Sequence, residues 1–329
     1  MKKVLIIGGS GFIGSYLISK YNNSQVINLD KNQSPFHNDI TKIGDIRDLT
    51  TVKDVFKNIH TVILLAAEHK DNVKPTSLYY DVNVIGTQNV LKFMDNNNID
   101  NLVFTSSVAV YGLNKKNPDE SHKLEPFGDY GKSKYKAELL INEWYKTNPN
   151  KKSVTIIRPT VVFGERNRGN VYNLLKIIYE RKFIMVGTGK NKKSMAYVKN
   201  ISAFIKQIET EKKIGYHIYN YIDKPDITMN KLVELISMKF NFYNYNIKIP
   251  YFFAIFFTRI IDFFAFILNT KFPVSSVRIK KFCAVTTFNS EKMQKIFKPP
   301  YKLEQGLKNT LDFEFTNEKH NDGIKFFSE

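Results

Sequence analysis

The amino-acid sequence predicts an α/β protein whose main domain is a doubly wound parallel sheet, and three observations support this fold class. Short, wholly apolar runs recur along the first half of the chain, as expected for strands buried on both faces. Segments with helical periodicity separate these runs, and this alternation is typical of parallel α/β folds. A glycine-rich turn joins the first apolar run to the first helical segment.

The length of the chain and a loosening of this pattern predict two domains. A chain of 329 residues with 43% apolar side chains can build one large core and a smaller one. We assign residues 1–163 to a Rossmann-type sheet domain and residues 164–329 to a smaller α+β domain that binds the substrate. The chain is expected to return to the first domain near residues 194–210.

The charge and the cysteine content restrict the partners and the compartment. A formal net charge of +18 suits a polyanionic partner: nucleic acid, an anionic membrane surface or a phosphorylated substrate. The single cysteine, Cys283, excludes an internal disulfide and fits a reducing compartment. The sequence has no histidine, cysteine and carboxylate cluster at metal-ligand spacing, so it predicts no metal site.

The first strand and its turn carry the first candidate site. The apolar run 4–7 stops at a glycine pair, which is too short for a signal peptide and fits a buried strand. Three glycines spaced three apart allow a tight turn, close approach of the backbone to a pyrophosphate, and close packing of the helix on the strand. Free N–H groups at the start of the helix favour that anion. We assign five residues of this turn to a dinucleotide cofactor: Gly8, Gly11, Phe12, Ile13 and Gly14.

The next two strands lead to acidic residues. The run 26–29 ends at Asp30, whose carboxylate can accept hydrogen bonds from both ribose hydroxyls and would repel a 2′-phosphate, so it favours NAD over NADP. The alternative for this residue is a turn-forming aspartate. After the third strand, Asp45 and Ile46 are candidates for contact with the adenine. Asp48 fits the N-cap of a helix near residues 52–56 equally well.

Small or polar residues follow the later strands, at the edge where parallel sheets bind their ligands. The strands are predicted at residues 61–65, 102–104 and 154–158. The further residues assigned to the cofactor are Ala66, Ala67 and Pro159 at strand ends, and Asn83 on a helix predicted at 78–94. The hydroxyls of Ser106 and Ser107 are expected to face the substrate.

A tyrosine and a lysine four residues apart form the candidate catalytic pair. On a helix predicted at 130–145, Tyr130 and Lys134 lie one above the other. An ammonium beside a phenol favours the phenolate and lowers its pKa from about 10 toward neutral pH. Such a group is a general base for a sugar hydroxyl. The alternative is an ordinary pair on a solvated helix face.

Two basic loops follow the sheet domain, at residues 165–170 and 187–194. Their guanidinium and ammonium groups suit a diphosphate. The candidate substrate-binding residues in these loops are Arg166, Arg168, Asn170, Lys192 and Lys193. The alternative is a solvated basic surface.

A phenylalanine-rich segment at 251–268 predicts a helix about 27 Å long. A membrane-spanning orientation would place Arg259 and Asp262 mid-bilayer, at a cost of about 2.5–3.5 kcal/mol each. An interfacial, amphipathic helix avoids this cost. Residues 278–302 add a flank with seven basic residues and one acidic residue, which favours an anionic membrane surface. The alternative is a core helix of the second domain.

Taken together, these residues resemble the extended short-chain dehydrogenase/reductase family of nucleotide-sugar enzymes. The motifs that carry the resemblance are Gly8-x-x-Gly11-x-x-Gly14, Asp30, Thr105-Ser106-Ser107, Val110-Tyr111-Gly112, Tyr130-x-x-x-Lys134, Arg158-Pro159 and Tyr197-Val198. The resemblance implies NAD as the cofactor and a catalytic triad of Ser107, Tyr130 and Lys134. Lys199 departs from the family pattern, in which many relatives have an acid there.

The resemblance also narrows the reaction. Dehydratases of this family carry an Asp-Glu pair where this chain has Ser106 and Ser107, so a 4-epimerase or a 4-keto reductase is implied. Long strings outside the shared motifs, including residues 166–170 and 274–283, are similar to bacterial 4-epimerases that act on GlcNAc carried by undecaprenyl diphosphate for O-antigen and lipopolysaccharide biosynthesis. The implied reaction is oxidation at C4 followed by hydride return to the opposite face.

Several alternatives remain open at this point. The substrate can instead be a UDP-sugar, and the enzyme can instead be an NAD(P)H-dependent 4-keto reductase. A nucleic-acid-binding protein with a degenerate dehydrogenase fold fits the charge, but the intact triad argues against it. The implied location is peripheral, on the cytoplasmic face of the cell membrane. Helices 78–94 and 130–145 are candidates for pairing in a homodimer.

Overall fold

A computed structural model of the chain describes residues 3–70, 73–242, 247–267, 276–316 and 323–327. The contacts within the chain divide it into two compact units. The large unit comprises Met1–Gly169, Met195–Lys224 and Phe288–Glu329, and the small unit comprises Asn170–Ser194 and Pro225–Thr287. The domain boundary predicted at residue 163 stays a prediction.

The large unit is built on a seven-stranded parallel sheet. The strands of the described residues are β1 (Lys3–Ile7), β2 (Val26–Asp30), β3 (Thr41–Ile43), β4 (Ile59–Leu64), β5 (Asn101–Thr105), β6 (Ser153–Pro159), β7 (Val161–Phe163), β8 (Met185–Val186), β9 (Lys192–Tyr197), β10 (Gly215–Tyr221), β11 (Asp223–Thr228) and β12 (Lys248–Ile249). The large sheet has the order β10-β6-β5-β4-β1-β2-β3, and its pairings are parallel. The chain order therefore reverses between β1 and β4, which confirms the doubly wound fold class and places a ligand crevice at that switch point. The other strands form a three-stranded sheet, β11-β9-β7, and a two-stranded sheet, β12-β8.

Helices cover both faces of the large sheet. The α-helices of the described residues are α1 (Phe12–Ile18), α2 (Ser77–Tyr80), α3 (Gly86–Asn96), α4 (Asp129–Lys146), α5 (Asn170–Tyr179), α6 (Val198–Glu211), α7 (Met229–Lys239), α8 (Tyr251–Ile267), α9 (Ser276–Cys283), α10 (Glu291–Gln294) and α11 (Leu303–Leu311). Strand side chains alternate between faces. Val4 and Ile6 accordingly join the cluster with α1 and α6, whereas Leu5 and Ile7 join the cluster with α3 and α4.

Two predicted helices differ in the structure. The segment predicted as one helix at 78–94 is α2, a π-helical turn at Asp81–Ile85, and α3. This wide turn buries Asn83, and π turns often occur at functional sites. The helix predicted near 52–56 is a 3₁₀ segment, Thr50–Phe56, with a non-helical residue at Val52. Adjacent β-branched side chains lose χ1 freedom in an α-helix, which accounts for the tighter, irregular segment.

The small unit contains α5, α7, α8 and α9. The predicted phenylalanine-rich helix is present as α8, and residue 268 of that prediction lies outside the described residues. In α8 Ala254 and Thr258 are buried. Among residues 251–262 of this helix, whose burial the structure describes, the exposed aromatic and aliphatic residues are Tyr251, Phe252, Phe253, Phe256, Phe257 and Ile260. Within the described residues, helices long and apolar enough to cross a membrane are absent.

Candidate active site

The glycine turn after β1 has the geometry that its sequence predicts. Gly8 has φ +90°, and a Cβ there would lie 2.4 Å from the backbone nitrogen of Ala66. A Cβ at Gly14 would lie 2.4 Å from the Cα of Gly9, so only hydrogen fits between the helix and the turn. A Cβ at Gly11 would meet only the Gly8 carbonyl oxygen, at 3.3 Å. Gly11 therefore leaves an open cradle beside the N-terminus of α1, where Phe12 and Ile13 begin the helix.

The carboxylate of Asp30 lies beside this turn, at the end of β2. Its Oδ2 accepts a hydrogen bond from the Ser10 N–H at 3.0 Å, and its Oδ1 accepts one from the Asn32 N–H at 2.9 Å. Burial raises the pKa of Asp30, while these N–H donors lower it. The carboxylate is thus both a turn acceptor, as the alternative interpretation holds, and a charge positioned next to the glycine turn.

The residues assigned to the adenine are partly engaged by the protein. Asp45 makes an ion pair with Arg47 at 2.7 Å. Ile46 is buried, and its side chain packs closely against Gly86, where a Cβ would lie only 2.5 Å from the Ile46 Cδ1. The Oδ1 of Asp48 accepts a hydrogen bond from the Thr50 N–H at 3.0 Å. The N-cap of the segment Thr50–Phe56 is Leu49, however, so the N-cap alternative for Asp48 is wrong. The adenine contact of Asp45 and Ile46 stays a prediction.

The segment after β4 is held next to the glycine turn and to the π turn. The Ala66 N–H donates to the Ile7 carbonyl at 2.9 Å. Asn83 exchanges two hydrogen bonds with the Glu68 backbone, at 2.8 and 2.9 Å, and donates to the Ser133 hydroxyl at 2.9 Å. Asn83 therefore ties the β4 loop to α4. Among the other cofactor candidates, the Ala67 carbonyl oxygen lies 3.3 Å from Nδ1 of His69, and Pro159 ends β6 opposite Tyr221.

The structure brings the three predicted catalytic residues together at the carboxyl end of β5. Ser107 follows β5, and its hydroxyl accepts a hydrogen bond from the Ala109 N–H at 3.1 Å. Tyr130 lies in the first turn of α4 and forms a side-chain hydrogen bond with Ser107. Burial raises the pKa of Tyr130 and this hydrogen bond lowers it. The expectation that Lys134 sets this pKa below its ordinary value is therefore wrong, because loss of solvation of the phenolate is the dominant influence.

Lys134 is buried one helical turn after Tyr130. Its Nζ lies 4.4 Å from the centroid of the Phe104 ring, and the residue is 2% exposed. Burial lowers the pKa of Lys134 to about 7, whereas the nearby charge of Glu138 raises it. At neutral pH this ammonium is consequently close to the point at which it loses its proton.

A buried ion pair that the sequence analysis did not assign supports Lys134. Glu138, one turn further along α4, accepts hydrogen bonds from Arg158 of β6 at 3.0 and 2.6 Å. Arg158 also donates to the Tyr111 hydroxyl at 2.9 Å, which in turn donates to Asn220 at 2.8 Å. Extending the four-residue spacing from Tyr130 through Lys134 to Glu138 would have found the carboxylate, but not its partners.

The predicted substrate residues have different environments. Ser106 is 3% exposed, and its hydroxyl has no hydrogen-bond partner among the described residues. Arg168 makes an ion pair with Glu314 at 2.8 Å, and the Arg166 guanidinium lies over the rings of Phe36 and Phe313. The other three candidates of the basic loops, Asn170, Lys192 and Lys193, belong to the small unit. Asn170 begins α5, and Lys193 donates to the Ala284 carbonyl at 2.7 Å while burial lowers its pKa. Their diphosphate-binding role stays a prediction.

The donor set of the large unit fits a dinucleotide. The open backbone at Gly11, the positive φ at Gly8 and the carboxylate of Asp30 at the adjacent strand end supply the space and the polar groups that such a cofactor needs. No group of three or more metal-ligating side chains occurs in the described parts of the chain.

Comparisons with known proteins agree with this geometry. The chain matches the model of the NAD dependent epimerase/dehydratase family over residues 4–221. It is 52% identical, over 99% of both chains, to the N-acetyl-alpha-D-glucosaminyl-diphospho-ditrans,octacis-undecaprenol 4-epimerase of Escherichia coli O157:H7. It is 33% identical to a putative UDP-glucose 4-epimerase of Methanocaldococcus jannaschii, over 60% of this chain and 70% of that one.

Solved structures show the same fold. MoeE5 in complex with UDP-glucose and NAD superposes with a TM-score of 0.74 at 21% identity, over 94% of this chain and 98% of that one. The UDP-glucose 4-epimerase of Thermotoga maritima with UDP-glucose superposes with a TM-score of 0.73 at 20% identity, over the same shares. At this level of identity the similarity concerns the fold.

Proposed function

The chain belongs to the NAD-dependent epimerase/dehydratase family, and from that premise we propose that it interconverts GlcNAc and GalNAc on undecaprenyl diphosphate by inverting C4 of the sugar. The observation that carries this proposal is the 52% identity, over 99% of both chains, to the Escherichia coli enzyme of that specificity. The intact Ser107, Tyr130 and Lys134 set is consistent with a working sugar 4-epimerase. The protein is on this basis an isomerase that requires NAD.

The cofactor is NAD, which supplies a hydride acceptor for C4 of the sugar and then returns the same hydride. The glycine turn and the backbone N–H groups at the start of α1 would hold its pyrophosphate. Asp30 ends β2, the strand next to β1 and its glycine turn, and its negative charge disfavours the 2′-phosphate of NADP. Phe12 and Ile13 begin α1 beside the glycine turn, and Asn83 holds the loop after β4 through its hydrogen bonds to the Glu68 backbone.

Tyr130 is the proposed general base for the 4-hydroxyl of the sugar. Because burial raises its pKa, the phenolate needs a compensating positive charge and hydrogen-bond donors. Ser107 provides a hydrogen bond to the tyrosine, and we expect its hydroxyl to stabilise the developing charge on the 4-oxygen. The protonated form of Lys134 provides the positive charge, and the charge of Glu138 favours that form against the effect of burial. The same phenol returns the proton after the 4-keto sugar has turned over in the pocket.

The decisive experiment presents the purified enzyme with GlcNAc-diphospho-undecaprenol and with UDP-GlcNAc in parallel, in detergent and with membranes. Conversion is measured by mass-resolved chromatography of the released amino sugars. We expect the lipid-linked sugar to be epimerised without net change in absorbance at 340 nm. Preferential turnover of UDP-GlcNAc would establish the nucleotide-sugar alternative, and stoichiometric loss of reduced cofactor would establish a 4-keto reductase.

The exposed face of α8 supports a peripheral contact with the membrane that holds such a substrate. Phe252 is 74% exposed and Phe256 is 53% exposed. Contiguous exposed aromatic residues of this kind mark an interaction surface. A net charge of +18 favours anionic lipids as the partner. We infer that this face lies in the headgroup region of the cytoplasmic leaflet, with α8 parallel to the membrane.

Flotation with vesicles of phosphatidylglycerol and phosphatidylethanolamine tests this contact. Replacing both Phe252 and Phe256 with Ser is expected to release most of the protein from the vesicles. Phe127→Ser is the matched control, because Phe127 is 72% exposed but lies in the loop before α4. Equal binding of the wild-type protein and the α8 variant would exclude α8 as the membrane contact.

The homodimer through helices near 78–94 and 130–145 stays a prediction that sedimentation can test.

A further inference from the structure

The last described residues of the chain, 323–327, return to the glycine turn of the large unit. The Phe326 N–H donates to the Arg166 carbonyl at 2.9 Å, and the Arg168 N–H donates to the Phe326 carbonyl at 2.8 Å. These two hydrogen bonds pair the segment with the loop after β7. We call residues 323–327 the C-terminal clasp.

The side chain of Phe326 contacts two other loops. Its ring centroid lies 5.7 Å from that of Phe12 and 6.3 Å from that of Phe36. Phe12 begins α1 directly after Gly11, the open position of the glycine turn. Phe36 lies in the loop that follows Asp30. One ring therefore bridges the turn that fits a pyrophosphate and the loop beyond the carboxylate that fits a ribose.

The loop after β7, to which the clasp is hydrogen-bonded, is held in place by its two arginines. The Arg166 guanidinium carbon lies 5.1 Å from the ring centroid of Phe36 and 4.6 Å from that of Phe313. Arg168 makes its ion pair with Glu314 at 2.8 Å, and the Glu314 side chain is 3% exposed. Glu314 also accepts a hydrogen bond from the Arg166 N–H at 2.7 Å. The residues to which the clasp is hydrogen-bonded are thus themselves anchored inside the large unit.

We propose that the C-terminal clasp retains NAD on the enzyme, with Phe326 as a positioning residue that holds the glycine turn and the Asp30 loop in their binding geometry. The reason rests on the proposed function: a hydride that leaves C4 and returns to it requires the same cofactor to stay bound through both transfers. Release between them would leave a 4-keto sugar and an enzyme without its hydride. A contact that couples two cofactor loops slows such release, because both loops must move together for the dinucleotide to leave.

The test compares neighbouring phenylalanines of the same segment. Phe326→Ala removes the ring that contacts both loops, and Phe327→Ala removes an adjacent ring that is 63% exposed. The full-length proteins are loaded with 1,N6-etheno-NAD, a fluorescent NAD analogue, and its dissociation is followed in an excess of unlabelled NAD without any sugar. The NAD content of each protein after gel filtration is measured as well. We expect Phe326→Ala to release the analogue on the order of tenfold faster than the wild-type protein, with Phe327→Ala unchanged.

Two further measurements separate retention from folding. Phe326→Leu keeps most of the side-chain volume, and it is expected to release the analogue at an intermediate rate; it replaces the alanine variant if that protein does not fold. The melting temperature without NAD reports a purely structural role. Release at the wild-type rate from Phe326→Ala, or from Phe326→Leu if the alanine variant does not fold, would refute the proposal whatever the melting temperature. The NAD-release assay contains no sugar. Its result therefore does not depend on whether the enzyme epimerises lipid-linked GlcNAc, so a failure of the proposed function can be told apart from a failure of this proposal.

Discussion

The buried ion pair beneath Lys134 leads to the sharpest prediction about stability. The Glu138 side chain is 5% exposed and that of Arg158 is 2% exposed, and they are joined by two hydrogen bonds of 3.0 and 2.6 Å. Glu138→Gln keeps the size of the side chain but removes its charge. Arg158 cannot lose its proton, so its charge would remain buried without compensation. We expect the free energy of unfolding to fall by about 3–5 kcal/mol.

The same helix contains a matched control. Glu143 makes an ion pair with Lys146 at 2.7 Å, but its side chain is 70% exposed. Exposed helical ion pairs contribute about 0.3–0.5 kcal/mol because water solvates both partners. Glu143→Gln therefore makes the identical chemical change on α4 with about a tenth of the expected cost. The difference between the two variants isolates the effect of burial.

Urea unfolding followed by tryptophan fluorescence measures both variants. Trp144 is the only tryptophan of the chain, and it lies on α4 in the core of the large unit, so it reports on the unit that contains the ion pair. If Glu138→Gln costs less than about 1 kcal/mol, as its control does, the reasoning from an uncompensated buried charge is refuted. Glu138 also raises the pKa of Lys134. The variant should therefore lose activity at a lower pH on the alkaline side of its rate profile.

Three further predictions concern the cofactor turn, the base and a buried acid. Tyr130→Phe should lower turnover by about 10²–10⁴-fold or more with normal NAD content, since it removes the proposed base but not the ring; near-normal turnover would exclude that role. Gly14→Ala places a Cβ 2.4 Å from a backbone carbon and should lower both the melting temperature and the NAD content, whereas Gly11→Ala, with only a 3.3 Å contact, should lower the NAD content alone. Burial raises the pKa of Asp223 from 3.8 to about 6, so the stability gained from its protonation is complete below pH 4 and lost as pH rises through 6, an effect of about 3 kcal/mol. In Asp223→Asn the urea midpoint should change less between pH 4 and pH 6 than in the wild-type protein. The same change in both proteins would contradict a raised pKa of Asp223.

The sequence by itself determined the features that depend on neighbouring residues. Strands buried on both faces require continuous apolar runs, so the run at residues 4–7 predicts β1 directly. The glycine spacing after it reflects backbone sterics within one turn. Tyr130 and Lys134 share a helix face because four residues make about one turn. These local rules sufficed for the fold class, for the glycine turn and for the placing of Tyr130 and Lys134 one turn apart on α4.

Only the tertiary structure decided the features that join residues far apart in the chain. The pKa of Tyr130 rises because the fold buries its phenol away from water. The sequence showed only that Lys134 lies one helical turn away, which predicted a lower pKa. Arg158 meets Glu138 across twenty residues of sequence, and Arg168 meets Glu314 across nearly half the chain. From the sequence alone, basic residues in a loop fit a ligand-binding role and a structural role equally well. The folded structure distinguishes the two, because it shows which acidic groups lie beside them. Burial and pairing, which set the charge and the orientation of each side chain, arise only when distant segments pack together.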